Sequence, residues 1–429
     1  MSGMKRSLKP RHILMMTLGG TIGAGIFKGS SSSIEMAGPS VLLTYAVGGL
    51  LLLVVMRCLA ELVLNNKTAT SLRDLVEPIL GTGVGYTVGW IYWLDWVLVM
   101  AAEMAAASSF LSFWFPNVPL WILALIGSIV LTAVNLFQVK IFGETEYWLA
   151  GIKIVTLILF VLLGLFVLGS HYSLHDVTQN LTAHGGLFPH GISGMVSAML
   201  VVMFSFGGIE MIGMTLGETE NPEQTIPKAT RSVVVRILVF YIFPIFIMLS
   251  LVPWVKLSEA TQSPFVTVFV QAGIPYVDAI MNFVLLTAVL SATNTGMYSS
   301  SRSLYEQAVK GNAPKYFSVL SKHNVPIRAL LFSTFFLYIG VIVAFFAKGN
   351  TFDYLMVLPG YTVMIVWIFL VISHIKQNGF KCSTGFALLA LVAILVGAII
   401  TNTYVGTLIT FGILLIIVMS YFVQSHKKR

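Results

Sequence analysis

Apolar stretches, each near the ~20 residues that a bilayer-spanning helix requires, follow one another along almost the whole chain. They fall at 13–37, 41–64, 83–113, 120–137, 147–169 and 191–217, then at 233–253, 277–308, 329–346, 354–374, 385–400 and 404–423. In hydrocarbon each backbone N–H and C=O must be satisfied internally, so such stretches fold as transmembrane helices. The expected fold is an all-α polytopic membrane protein with twelve transmembrane helices. Composition agrees, since 57% of the 429 residues are hydrophobic, only 10% are charged and the mean hydropathy is +0.89. That balance excludes a soluble globular domain.

The net charge of +8 sorts by side of the membrane rather than marking an acidic partner, and no nucleic acid is expected. Of the 25 Lys and Arg, all but Lys28, Lys256 and Lys348 fall on the side that holds the N-terminus. The positive-inside rule then predicts two cytoplasmic termini in a multi-pass protein of the cell membrane, embedded in lipid. Lys5, Arg6, Lys9 and Arg11 lead straight into a full span without a small-residue cleavage site, so no cleavable signal peptide is expected. Cys58 and Cys382 fall at the cytoplasmic side and are expected as free thiols.

Two spans are interrupted. In the first, residues 17–31 read TLGGTIGAGIFKGSS, with Gly19, Gly20, Gly23 and Gly25 where a continuous helix is expected. Each Gly costs a helix interior about 1 kcal/mol relative to Ala. The sixth span repeats the pattern at 204–217, FSFGGIEMIGMTLG. Gly19 and Gly23 also make a GxxxG packing seam, but two interrupted spans opening two halves point to a transporter's midplane site. A break exposes carbonyls on one side and N–H groups on the other, which suit an ammonium and a carboxylate. Five spans precede the sixth, so the second half starts from the opposite face as an inverted repeat. The division is 1–12 N-terminal segment, 13–170 first repeat, 190–375 second repeat, 383–424 two appended helices and 425–429 basic tail. Helices 11 and 12 are blandly apolar and suit packing or homo-oligomer contact.

Charges inside spans mark functional candidates. Glu210 adjoins the second break, as a substrate or titrating group or as a carboxylate bonded to neighbouring backbone. Glu103 in the third span is either a proton carrier or a packing residue, and Asp95 adds a second carboxylate there. Lys153, about two turns into the fifth span, either couples protons or snorkels to the interface. Lys28 reaches toward the outer vestibule or pairs with Glu35, while Arg57 and Glu61 read as a structural ion pair. Glu218 and Glu220 are gate or loop contacts. The four histidines of 170–190 match no metal-ligand spacing, and that segment reads as a solvated loop.

The strings LGGTIGAGIFKGSSSSIEMAGPS, EYWLAGIKI, FSFGGIEMIGMTLGETENPEQTIPKA and LLTAVLSATNTGMYSSSRSLYEQA resemble, in order and spacing, signatures of the amino acid permease family. This family belongs to the amino acid–polyamine–organocation transporter superfamily. The resemblance implies a LeuT-like 5+5 inverted repeat with discontinuous helices 1 and 6, and amino acid uptake by proton symport. It implies that the substrate carboxylate meets N–H groups at Gly23, Ala24 and Gly25, and its ammonium the carbonyls near Ile22, Phe204, Ser205 and Phe206. It implies that Lys153 takes the place of a sodium ion, supported by Ser291 and Asn294, with Glu103 as a second proton-coupling residue. No cofactor or metal is expected, and the coupling ion is H+. An amino acid exchanger shares these motifs, and a non-transporting sensor is a further alternative. A membrane enzyme is disfavoured because no HExxH or GxSxG occurs.

Overall fold

The computed structural model describes residues 10–137, 142–213, 215, 221–259, 262–271, 273, 276–321, 325–347, 351–401 and 404–428. All the regular secondary structure among those residues is helical. The first apolar stretch is divided into α1 (Pro10–Thr21), α2 (Ala24–Phe27) and α3 (Gly29–Ala37). α4 (Val41–Asn65), α5 (Leu72–Leu80), α6 (Thr82–Leu111), α7 (Leu120–Phe137) and α8 (Phe142–His171) follow. After α9 (Leu174–Thr182), α10 (Gly191–Phe206) ends in a second interruption, and a 3-10 turn, Ile209–Gly213, continues its path. α11 (Pro222–Leu251), α12 (Trp254–Glu259), α13 (Pro264–Gln271), α14 (Val277–Val309), α15 (Ile327–Ala347), α16 (Thr351–Asn378), α17 (Cys382–Thr401) and α18 (Tyr404–Lys428) complete the chain.

Among the described residues, nine helical runs are long and apolar enough to cross a membrane. Three shorter apolar helices, Ile13–Phe27, Leu120–Leu136 and Ile327–Val343, sit where spans 1, 4 and 9 are expected. The chain is thus a polytopic membrane protein. α6 is its axis: it packs against α14, α16, α5, α15 and α7. The run Ala101, Ala102, Ala105, Ala106 and Ala107 is buried along it, and small side chains let neighbouring backbones approach closely where lipid supplies no hydrophobic drive. α1 packs on α8, α14 and α11, whereas α10 packs on α3, α16 and α4. The two interrupted segments therefore lie inside the bundle rather than at its lipid face.

Four short helices occupy what the sequence reads as loops. α5 buries Leu72, Arg73, Leu75 and Val76 against α6, and α13 buries Phe265 and Phe269. Phe265 meets Phe27 at a centroid distance of 5.1 Å and Phe160 at 4.5 Å, and Ser263 donates its hydroxyl to the Phe27 carbonyl. α13 thereby covers the segment just after the first break. The histidine-bearing loop also carries a helix, α9, begun by a capping box between Ser173 and Asp176. Arg57 and Glu61 do pair, at 2.8 Å. Lys28 and Glu35 form no ion pair among the described residues: Glu35 is exposed, and the charge acting on half-buried Lys28 is that of Asp353. Glu218 and Glu220 lie outside the described residues.

Candidate functional site: two broken helices and a buried lysine

α1 stops at Thr21, and Ile22 and Gly23 are non-helical before α2 begins at Ala24. Gly23 has an extended backbone, φ −141° and ψ −148°. The Ala24 N–H, the first donor after the break, points at Glu103, whose two carboxylate oxygens both accept from it at 2.9 Å. The amide expected to meet a carboxylate thus holds one of the protein's own. The predicted residues Ile22, Gly23, Ala24 and Gly25 are all buried.

α10 stops at Phe206, and Gly208 turns the chain with φ +95°, a conformation that favours glycine. Glu210 closes this break on itself. Its Oε1 accepts from the Gly208 N–H at 3.0 Å and its Oε2 from the Trp367 indole at 3.2 Å. Of the two roles open to Glu210, the geometry supplies the bonds of the structural one. Asp95, on α6, accepts from the Thr362 hydroxyl at 2.6 Å and feels the Glu210 charge.

The breaks touch each other. A Cβ on Gly25 would stand 2.5 Å from the Ser205 Cα, so only glycine permits this approach. The Tyr241 hydroxyl, from α11, lies between them, 2.8 Å from the Thr21 carbonyl and 2.6 Å from the Ser205 carbonyl. Phe206 packs on Tyr241 at 5.2 Å and Phe204 faces Phe352 at 6.0 Å. Tyr241 was not foreseen; a tyrosine in an apolar span carries no charge to betray it.

Lys153 does not snorkel. Its side chain is 1% exposed and its ammonium donates to the Gly19 carbonyl at 2.5 Å, on the segment leading into the first break. The sequence reading paired it with Ser291 and Asn294, but the bonds run otherwise. Ser291 donates to Glu146 at 2.5 Å, and Asn294 accepts from Asn135 on α7 at 2.8 Å. Glu146, fully buried and overlooked in the sequence, sits beside Gly19: a Cβ there would stand 2.3 Å from its Oε1. The charges acting on Lys153 are those of Glu146 and Glu103. The i, i+7 spacing of Glu146 and Lys153, two turns on one helix face, was the signal available.

Among the described residues the site is therefore a closed polar seam in an apolar bundle. It contains one buried cation tied to a helix break, two carboxylates around it, and a second carboxylate pair at the other break. Such groups are expensive in a membrane and mark pathways for ions or polar solutes.

The amino acid permease family's sequence profile matches residues 12–427. An uncharacterized amino acid permease of Bacillus subtilis (strain 168), YvbW, is 49% identical over 438 residues, covering 99% of this chain and 98% of that protein. The gamma-aminobutyric acid permease of the same organism is 39% identical over 446 residues, covering 100% and 95%. The aromatic amino acid transport protein AroP of Escherichia coli (strain K12) is 40% identical over 383 residues, covering 89% and 84%. With full-length matches of this kind, on a polytopic bundle holding a polar seam, the chain belongs to the amino acid permease family and is a membrane transporter, not an enzyme.

Proposed function

We propose that this protein imports neutral amino acids by proton symport, working by alternating access around the two breaks. The observation that carries the reading is the junction itself: two interrupted helices meet at Gly25 and Ser205, and a buried lysine is tied to one of them through Gly19. Twelve spans, with residues 13–170 and 190–375 as a LeuT-like 5+5 inverted repeat, 383–424 appended and both termini cytoplasmic, supply the frame for rocking one half against the other.

In this reading the substrate carboxylate binds at Gly23, Ala24 and Gly25, displacing Glu103, and the ammonium binds the carbonyls of Ile22, Phe204, Ser205 and Phe206. A protonated Lys153 holds α1 against α8; its deprotonation weakens the bond to Gly19 and lets the seam open. Glu103, once displaced, takes up or gives up a proton, and Glu146 holds Lys153 in place with Ser291 behind it. Asn294 braces α14 against α7. Glu210, engaged by Gly208 and Trp367, lines the second break without offering a free charge, and Phe204 and Phe206 favour an apolar side chain. Relatives are named for gamma-aminobutyric acid and for aromatic amino acids, compounds with no charge beyond one amino and one carboxyl group.

Uptake of labelled amino acids into proteoliposomes, with and without an outside-acid gradient, tests this. Concentrative uptake of neutral amino acids that an uncoupler abolishes is the expected result. Uptake that needs only preloaded amino acid, whatever the gradient, would make the protein an exchanger and remove the role given to Lys153.

A further inference from the structure

Away from the seam, a cavity of about 460 Å3 opens between α4, α11, α16 and the start of α17. Its polar end gathers three basic side chains around one carboxylate. Glu61 accepts from Arg57 Nε at 2.8 Å, bonds His374 Nε2 at 2.6 Å and accepts from Lys381 Nζ at 3.2 Å. One carboxylate cannot balance them, so the cluster keeps at least one positive charge even with His374 neutral. The Arg57 and Lys381 side chains are 65% and 42% exposed, and among the described residues Arg57 engages a protein acceptor only through Nε. His374 and Thr230 are the reverse, 1% and 3% exposed. Both line the cavity, yet His374 Nδ1 and Thr230 Oγ1 have no hydrogen-bond partner among the described residues. Buried polar atoms left so are costly, and the cavity is where a hydrogen-bond partner can reach both. The other end of the cavity is hydrocarbon, with Leu53, Val54 and Val234 in its wall.

We propose that this cavity binds one anionic phospholipid with a hydroxyl-bearing headgroup. Its phosphate accepts from Arg57 and Lys381, a headgroup hydroxyl hydrogen-bonds His374 Nδ1, and the Thr230 hydroxyl donates to an ester oxygen. One acyl chain lies on Leu53, Val54 and Val234. A free phosphate would satisfy the cations and leave the apolar wall unfilled. A zwitterionic lipid would not match the surplus charge. Basic pockets between transmembrane helices recognise anionic headgroups on these grounds.

The test is native mass spectrometry of the full chain released from nanodiscs of mixed phosphatidylcholine and phosphatidylglycerol. One phosphatidylglycerol should remain per chain, and excess inorganic phosphate should not displace it. Arg57→Gln and Lys381→Gln should each weaken retention by about tenfold, the scale of one lost charge-assisted contact. Lys376→Gln, on an exposed residue outside the cavity lining, should change nothing. Val54→Trp, which fills the apolar end and spares the charges, should also expel the lipid, so misfolding of a charge variant cannot hide the answer. Equal retention of phosphatidylcholine, displacement by phosphate, or undiminished retention in both the charge variants and Val54→Trp would overturn the proposal.

Discussion

Lys153 and Glu146, groups of opposite charge type, are both buried among apolar helices, and their energetics follow from that. Removing one member of a buried pair costs about 3–5 kcal/mol, because the other is stranded, whereas removing both is often neutral. Lys153→Met and Glu146→Gln should each lower the thermal unfolding temperature of the purified protein, and the double variant should recover most of the loss. Additive losses would mean that the two charges do not interact. In proteoliposomes Lys153→Met should abolish accumulation driven by a pH gradient while leaving exchange of internal for external substrate. Tyr241→Phe acts differently. It removes the one hydroxyl lying between the Thr21 and Ser205 carbonyls, leaving buried acceptors that cost about 1–3 kcal/mol, so it should destabilise without uncoupling.

At the scale of the element, the two breaks were legible because glycines and a carboxylate interrupt otherwise apolar runs. What they bind in this closed conformation was not. Which side chain fills a break depends on how neighbouring helices are rotated, and packing sets that rotation: Glu103 reaches Ala24 only because α6 runs through the centre. Glu146 escaped notice at the head of its span, where an acid is ordinarily solvated. The short helices α5, α12 and α13 disappear in a reading tuned to twenty-residue spans, and α9 falls in what the sequence reads as a solvated loop, although the Ser173 and Asp176 capping-box spacing marks its start. The break geometry makes a sharp prediction. Gly25→Ala places a methyl 2.5 Å from the Ser205 backbone, which cannot yield, and should reduce uptake to background with normal expression. Gly151→Ala, on α8 with nothing within 4 Å, should leave uptake intact. For α9, the Ser173 bonds hold the Asp176 carboxyl below the usual carboxylate range. A depressed pKa stabilises the helix start above that range and loses its effect as pH falls through the lowered value. The protection of α9 amides, the intrinsic exchange rate at the same pH over the observed one, should therefore fall at acid pH in the native chain and be low at all pH values in Asp176→Asn.

For the whole molecule, orientation decides which opening of the seam faces the cytoplasm, while the proton gradient sets the direction of net symport. The orientation we propose rests on the basic residues, since Lys and Arg gather on the side predicted to face the cytoplasm and the lone cation of α12 is Lys256. The two native cysteines make this testable with little engineering. Cys58 is buried and Cys382, at the start of α17, is exposed. A membrane-impermeant maleimide should label Cys382 in inverted vesicles and not in intact cells. Gln179→Cys in a Cys382→Ser background, on exposed α9, should show the opposite pattern. Labelling of both positions from one side would break the odd number of crossings between them, and with it the inverted relation of the two halves. The alternating-access reading would then lose its frame even if every contact at the seam were correct. Labelling from opposite sides in the reverse sense would keep the repeat and exchange the cytoplasmic and outer openings of the seam, while the direction of net symport would still follow the proton gradient.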